Sequence, residues 1–106
     1  EAGFPAVQAI LPILDKAGLS VNDAGCAALL QLIAETTDPA DIAALFADMC
    51  TNKEVENMAE RCFAAKLLME GKTYTQIMEQ ADISSATLSR VSNAVKYGKG
   101  YKQFVK

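Results

Sequence analysis

Apolar residues recur at helical spacing through most of this chain, and this spacing constrains the fold more than any other feature. The pattern is plainest between Thr51 and Gly71, where one stripe contains Val55, Met58, Ala59, Cys62, Phe63 and Leu67. Residues three and four apart lie on one face of a helix. A second flank of Ala65, Leu68 and Met69 predicts that this helix is buried on more than one side. The sequence has no strand-like alternation, so we expect an all-α, multi-helix fold.

Residues that start and stop helices divide the first half of the chain. A first helix is expected over residues 4–17, with a break at Pro12, because proline removes an internal hydrogen bond. Gly18 ends it, and a second helix follows from residue 22 or 23 to residue 35. Asp38 followed by Pro39 is typical of a helix start. This third helix is expected to direct four apolar side chains inward: Ile42, Leu45, Phe46 and Met49.

Capping boxes mark the later helices. Thr51 with Glu54, and Thr73 with Gln76, have the hydroxyl residue and the Glu or Gln three positions later that close such a box. The helix after Thr51 is expected to end at Gly71, and the short helix after Thr73 to end near Ala81. Ser84 is expected to cap a last helix that runs to about residue 96. We expect the tail, residues 97–106, to be partly mobile.

Charge is divided unevenly along the chain. Residues 1–60 carry ten acidic and two basic side chains, a net charge of −8, whereas residues 61–106 carry eight basic and three acidic ones, a net charge of +5. Basic halves of helical domains often face phosphate.

The residue types exclude several classes of protein. The chain has no His, and Cys26, Cys50 and Cys62 lack CxxC spacing, which argues against a zinc site and predicts buried, reduced thiols. No Gly-rich phosphate loop, GxSxG motif or carboxylate dyad is present. We therefore expect no enzyme activity, cofactor or metal. No apolar run approaches the ~20 residues of a membrane span, and no signal peptide is seen, which predicts a cytoplasmic protein.

The segment Tyr74–Asn93 has the pattern of a helix-turn-helix. This motif needs two short helices, held together by a few apolar contacts, that leave the outer face of the second helix free for the major groove. The apolar contacts are expected from Ile77, Ala81, Ile83, Leu88 and Val91. Asp82 is expected in the turn, where it would adopt a left-handed conformation.

The outward positions of this segment suit DNA. Short hydroxyls can bind phosphate or base edges, methyl groups can contact thymine, and Arg90 can either bind guanine bidentately or hold a phosphate. The DNA-binding residues are predicted to be Lys72, Thr73, Gln76, Ser84, Ser85, Ala86, Thr87, Ser89, Arg90, Asn93 and Lys96.

Three stretches resemble the Trp repressor family, and most closely its repressor-related YerC/YecD branch. They are LFADMCTNKEVENMAERCFAAKLLMEGKTYTQI, SSATLSRVSNAV and KYGKGY, which lie within residues 26–106. The resemblance implies an intertwined homodimer that presents two helix-turn-helix units to a palindromic operator as a transcriptional repressor. Residues 1–25 are expected to form a helical extension outside the match.

The resemblance also implies an effector pocket beneath the recognition helix. Thr51, Arg61 and Arg90 match family positions that line it. Val91 stands where tryptophan-responsive members have glycine, and Ala94 replaces a serine that contacts the ligand amino group. A branched side chain would intrude on the indole site, so tryptophan is not the expected effector. Thr51 also serves as a cap, and Arg61 could be simply solvated.

Two alternatives remain open from the sequence. The apolar first three helices indicate either self-association or a compact monomer. The acidic N-terminal half leaves room for a helical protein-interaction module that keeps the helix-turn-helix shape without binding DNA.

Overall fold

A computed structural model describes Lys16 and residues 24–105, with side chains described at Lys16 and over 28–105. These residues confirm the all-α prediction. The helices are α1 (Ala24–Glu35), α2 (Pro39–Met49), α3 (Asn52–Met69), α4 (Tyr74–Gln80), α5 (Ser85–Tyr97) and α6 (Gly100–Phe104). The predictions for residues 4–17, Pro12 and Gly18 fall outside the described residues, Lys16 apart. None of the described helices has the length and apolar character needed to cross a membrane.

The chain divides into two units, residues 1–49 and residues 50–106. In the first unit, α1 and α2 keep apolar side chains at the surface: Leu29, Leu32 and Met49 are all exposed. Met49 was expected to point inward, and the other three predicted inward residues of α2 are only half-buried. The predicted division of the chain into residues 1–25 and 26–106 stays a prediction.

The core of the second unit lies where α3, α4 and α5 meet. It contains Ala64, Ala65, Leu67, Ile77, Ala81, Leu88 and Val91, and Tyr101 of α6 packs against it. Ile77 and Leu88 are its largest fully buried side chains. The two consecutive alanines of α3 are also fully buried. Their small size lets the neighbouring helices approach closely, which is how so short a chain fills this core.

The buried side of α3 is not the one that the apolar stripe predicted. Leu67 is buried, but Val55, Cys62 and Phe63 are exposed, the last by 41%. The neighbouring helices pack instead on the side that carries the two alanines. The prediction of a buried thiol is therefore wrong for Cys62, and Cys50 is only half-buried; both are free. The side chain of Cys26 lies outside the described set.

The C-terminal tail contains a helix, α6, where a partly mobile segment was expected. Gly98 allows the chain to turn close to the end of α5, because a Cβ at this position would lie 2.6 Å from the carbonyl oxygen of Ala94. Lys102 Nζ then donates a hydrogen bond to the carbonyl oxygen of Lys96 at 3.2 Å. Half-buried Tyr101 anchors this short helix on the core of the second unit.

Both predicted capping boxes are confirmed. At the start of α3, the Glu54 N–H donates to Thr51 Oγ1 at 3.1 Å, and the Thr51 N–H donates to a Glu54 carboxylate oxygen at 2.7 Å. That second hydrogen bond, with a smaller contribution from the Thr51 side chain, lowers the pKa of Glu54 against a small opposing effect of burial. Helix α3 ends before Gly71, whose φ of 88° is the left-handed conformation that glycine adopts readily.

The Glu54 cap predicts an acid-dependent loss of stability. Because the pKa of Glu54 is lowered by folding, its contribution is present above the ordinary glutamate pKa and is lost as the pH falls through the folded-state value. We expect the melting temperature of the parent to exceed that of Glu54→Gln at neutral pH, and the gap to narrow between about pH 5 and about pH 3. Thermal melts across this range measure the gap, with Glu56→Gln as the control for the loss of one charge. A gap that stays constant with pH would contradict the assignment.

Candidate nucleic-acid interface

The helix pair predicted over Tyr74–Asn93 is present in the second unit as α4 and α5. Helix α4 begins with the Thr73 capping box, in which the Gln76 N–H donates to Thr73 Oγ1 at 3.2 Å and the Thr73 N–H donates to Gln76 Oε1 at 2.9 Å. Helix α5 begins at the Ser84 cap, whose Oγ accepts from the Thr87 N–H at 3.2 Å. Local sequence signals therefore set where both helices start.

The turn between the two helices differs from the prediction. Among the described residues only Gly71 has a positive φ, so Asp82 is not left-handed. The chain instead leaves α4 through an extended Ala81, with φ −125° and ψ 144°. The Ile83 N–H donates to the Ala81 carbonyl oxygen at 3.0 Å, and the Asp82 N–H donates to Glu60 Oε2 of α3 at 3.1 Å. A hydrogen bond to α3 thus supports the turn without a strained residue.

The predicted apolar contacts between the two helices are confirmed by burial. Ile77, Ala81, Leu88 and Val91 are buried, and Ile83 is half-buried against them. Leu88 and Val91 lie three residues apart on α5 and so share one face of that helix. This arrangement leaves the opposite face of α5 without a packing partner among the described residues of the second unit.

That opposite face carries most of the predicted DNA-binding side chains. Ala86, Ser89, Arg90 and Asn93 are exposed, and their spacing of three and four residues aligns them along α5. Lys72, Thr73, Gln76, Ser84, Ser85 and Lys96 are exposed as well, whereas Thr87 is half-buried. Within the part of the chain that the structure describes, Arg90 and Asn93 make no side-chain hydrogen bond.

Some of these polar groups already have partners. The Ser84 hydroxyl donates to Thr87 Oγ1 at 3.0 Å while it caps α5. Gln76 uses its Oε1 in the capping box, which leaves its amide hydrogens as donors. These residues are therefore held in place by the fold, whereas Arg90 and Asn93 keep their donors for a ligand.

Tyr74 is a residue of this surface that the sequence analysis missed. It is the first residue of α4 and is 40% exposed. The nearby Ser92 side chain lowers the pKa of its phenol, desolvation opposes this, and Ser89 and the charge of Lys96 lower that pKa further. An aromatic residue directly after a helix cap was the available signal.

A cavity of about 320 Å³ lies beside α5. It is lined by Arg61, Thr87, Arg90, Val91, Ala94 and Tyr101. Three of the four predicted effector residues, Arg61, Arg90 and Val91, therefore meet here, but Thr51 does not line this cavity, and its hydroxyl is used as a helix cap. Tyr101, from the unpredicted α6, is the added wall.

Comparison with known proteins places the chain in a family. Residues 24–106 match the family described as Trp repressor protein. The chain belongs to the Trp repressor family. The resemblance carried by the three sequence stretches is thereby confirmed. Members of this family are regulatory proteins.

One curated protein is similar to part of this Trp repressor family member. The uncharacterized protein YerC of Bacillus subtilis (strain 168) is 42% identical over 53 residues, a stretch that covers 50% of this chain and 51% of YerC. The chain thus spans about half the length of this curated relative.

Two solved structures share the fold. A protein from Staphylococcus aureus, assigned as a Trp repressor, has a TM-score of 0.71 at 28% identity, over 76% of this chain and 81% of its own. A TrpR-like protein from Eubacterium eligens ATCC 27750 has a TM-score of 0.71 at 33% identity, over 81% of this chain and 88% of its own.

The described residues contain no candidate metal site. No group of three or more His, Cys, Asp or Glu side chains that could hold a metal ion is found there.

Proposed function

We propose that this Trp repressor family member is a sequence-specific, DNA-binding transcriptional repressor that reads the major groove with α5. The observation that carries the proposal is the division of α5 into a buried face around Leu88 and an exposed face with Arg90 and Asn93. A helix with its side chains is about 10–12 Å across, which fits a major groove about 12 Å wide. The 13 residues of α5 make it about 20 Å long.

Each part of the exposed surface has a distinct role in this proposal. Arg90 and Asn93 contact base edges, because their donors and acceptors match those of guanine and adenine. Lys72 and Lys96 neutralise phosphates of the DNA. Thr73 and Gln76, at the start of α4, contact the sugar-phosphate backbone of the DNA. Ser85, Ala86 and Ser89 complete the groove-facing side. Ser84 and Thr87 hold the start of α5 in position.

The proposed repressor acts as a homodimer. Exposed apolar side chains occur on α1, α2 and α3, and the large ones are Leu29, Leu32, Met49, Val55, Phe63 and Met69. Exposed large apolar side chains in such numbers on each unit are typical of surfaces that meet another protein chain. A two-fold dimer would also present two copies of α5 to successive major grooves.

The proposed effector, if the cavity takes one, is not tryptophan. Val91 is a branched residue on the cavity wall, and Ala94 offers no side-chain acceptor for an ammonium group. Thr51 is committed to its helix cap. Of the positions that match the family's effector pocket, Arg61 and Arg90 are the polar residues that line this cavity.

Titration of fluorescent duplexes from the protein's own promoter, at several salt concentrations, tests the proposal. We expect the logarithm of the association constant to fall linearly with the logarithm of the salt concentration. We also expect tighter binding to a palindromic site than to scrambled DNA. The same titration with added tryptophan should give an unchanged affinity, and light scattering of the free protein should give the dimer mass. A dimer that binds none of a broad duplex pool at low salt would favour a protein-interaction module instead.

A further inference from the structure

The hydrogen bond from the Asp82 N–H to Glu60 links the turn of the helix pair to the long helix α3. Donor and acceptor are 3.1 Å apart and are separated by 22 residues in the sequence. Glu60 is half-buried, although glutamate is usually exposed. Within the part of the chain that the structure describes, this is the side-chain hydrogen bond that connects the turn to α3.

The Asp82 N–H has no backbone acceptor within the turn. The Ala81 N–H donates to Ile77 O at 2.8 Å and closes α4, and the Ile83 N–H donates to Ala81 O. The Asp82 N–H lies between these two bonds, and it is paired by the Glu60 carboxylate. A hydrogen bond to a charged acceptor is stronger than one between neutral groups.

Apolar packing holds α5 against the core, and the Asp82 hydrogen bond adds a directional contact at the start of α5. The buried side chains that α3 contributes to this core are Ala64, Ala65 and Leu67, of which the two alanines are small. Apolar burial is also non-directional, whereas a hydrogen bond prefers one distance and angle. Because Asp82 lies two residues before the Ser84 cap, a fixed Asp82 fixes the start of α5.

We propose that Glu60 is a positioning residue that sets the orientation of α5 on α3 through the Asp82 backbone N–H. It makes no contact with DNA in this proposal. The inference rests on the proposed DNA-binding function for its affinity readout only, because the state of the Asp82 amide can be measured without DNA.

Loss of the Glu60 charge and loss of its hydrogen bond should change DNA affinity in opposite directions. Glu60 and Asp82 line the same cavity of about 250 Å³, together with Asn57, Arg61 and Ser84. A carboxylate near the DNA-facing start of α5 repels phosphate, so loss of its charge alone should strengthen DNA binding. Loss of the hydrogen bond should weaken it.

Three variants separate charge from hydrogen bonding. Glu60→Gln and Glu60→Met are both neutral and similar in length, but only the glutamine has an acceptor oxygen. Glu60→Asp keeps the charge but is one methylene too short. We expect Glu60→Gln to match or exceed the parent's affinity for its operator, and Glu60→Met and Glu60→Asp to bind about five- to tenfold more weakly than Glu60→Gln. Glu56→Gln and Glu56→Asp, at an exposed position one turn earlier, are the matched controls.

Amide hydrogen exchange at Asp82 gives the second readout. The parent and Glu60→Gln should protect this amide, while Glu60→Met and Glu60→Asp should lose the protection without a general increase across α5. If all variants protect Asp82 equally, or if Glu60→Asp binds like the parent while Glu60→Gln is impaired, the proposal is wrong. If the parent binds no duplex, the proposed function fails, and the exchange pattern alone still decides the role of Glu60.

Discussion

Replacement of Arg90 by alanine is expected to reduce operator affinity by about ten- to a hundredfold while leaving the fold intact, because a good bidentate base contact contributes about 1–3 kcal/mol. Arg90 is exposed on α5 and makes no side-chain hydrogen bond within the described residues, so its removal costs the free protein little. Its neighbour Val91 is buried, which fixes the direction in which residue 90 projects.

The pattern of loss distinguishes the two roles that Arg90 could have. Loss of a guanine contact should relax discrimination at one base pair of the operator, and the salt dependence should change little. Loss of a phosphate contact should weaken binding to all sequences alike and lower the salt slope by about one. Fluorescence anisotropy on the operator and on single-base variants, at several salt concentrations, measures both.

Lys53→Ala is the matched control for Arg90→Ala. Lys53 is an exposed base at the start of α3, away from α4 and α5 in the sequence, and its removal changes the net charge by the same amount. Equal affinities of Arg90→Ala and Lys53→Ala for the operator would mean that α5 does not read DNA with this residue.

Local signals in the sequence predicted most of the helix boundaries in the second unit. The boundaries of α3, α4 and α5 were predicted within one or two residues, because Thr51, Thr73 and Ser84 act on backbone N–H groups only two or three residues away. The outward face of α5 followed from the same logic, since helical spacing fixes which residues are opposite Leu88.

The errors concern contacts between distant residues. Which side of α3 is buried depends on what packs there, and neighbouring helices pack against Ala64 and Ala65 while leaving Phe63 exposed. The Asp82 N–H donates to an acceptor 22 residues earlier, which no local pattern reveals. The glycines and lysines of residues 97–106 argued against helix α6, although the spacing of Tyr101 and Val105, four residues apart, was a weak signal for it.

Replacement of Leu88 by alanine is expected to lower the free energy of unfolding by about 3 kcal/mol, within the range of about 2–5 kcal/mol usual for such truncations in cores. Leu88 is completely buried in the core where α3, α4 and α5 meet. Its neighbours there include fixed backbone and small alanines, which cannot move in to fill the space. Truncation therefore removes apolar burial and leaves a cavity.

Met78→Ala provides the comparison, because Met78 is an apolar residue of α4 that is 44% exposed. Its truncation should cost less than about 1 kcal/mol, since little buried area is lost. Urea unfolding followed by circular dichroism, at one fixed protein concentration because a dimer's stability depends on it, measures both variants. If Leu88→Ala costs no more than Met78→Ala, Leu88 does not hold α5 on the core. The exposed face of α5 would then lack the fixed orientation that reading a groove requires.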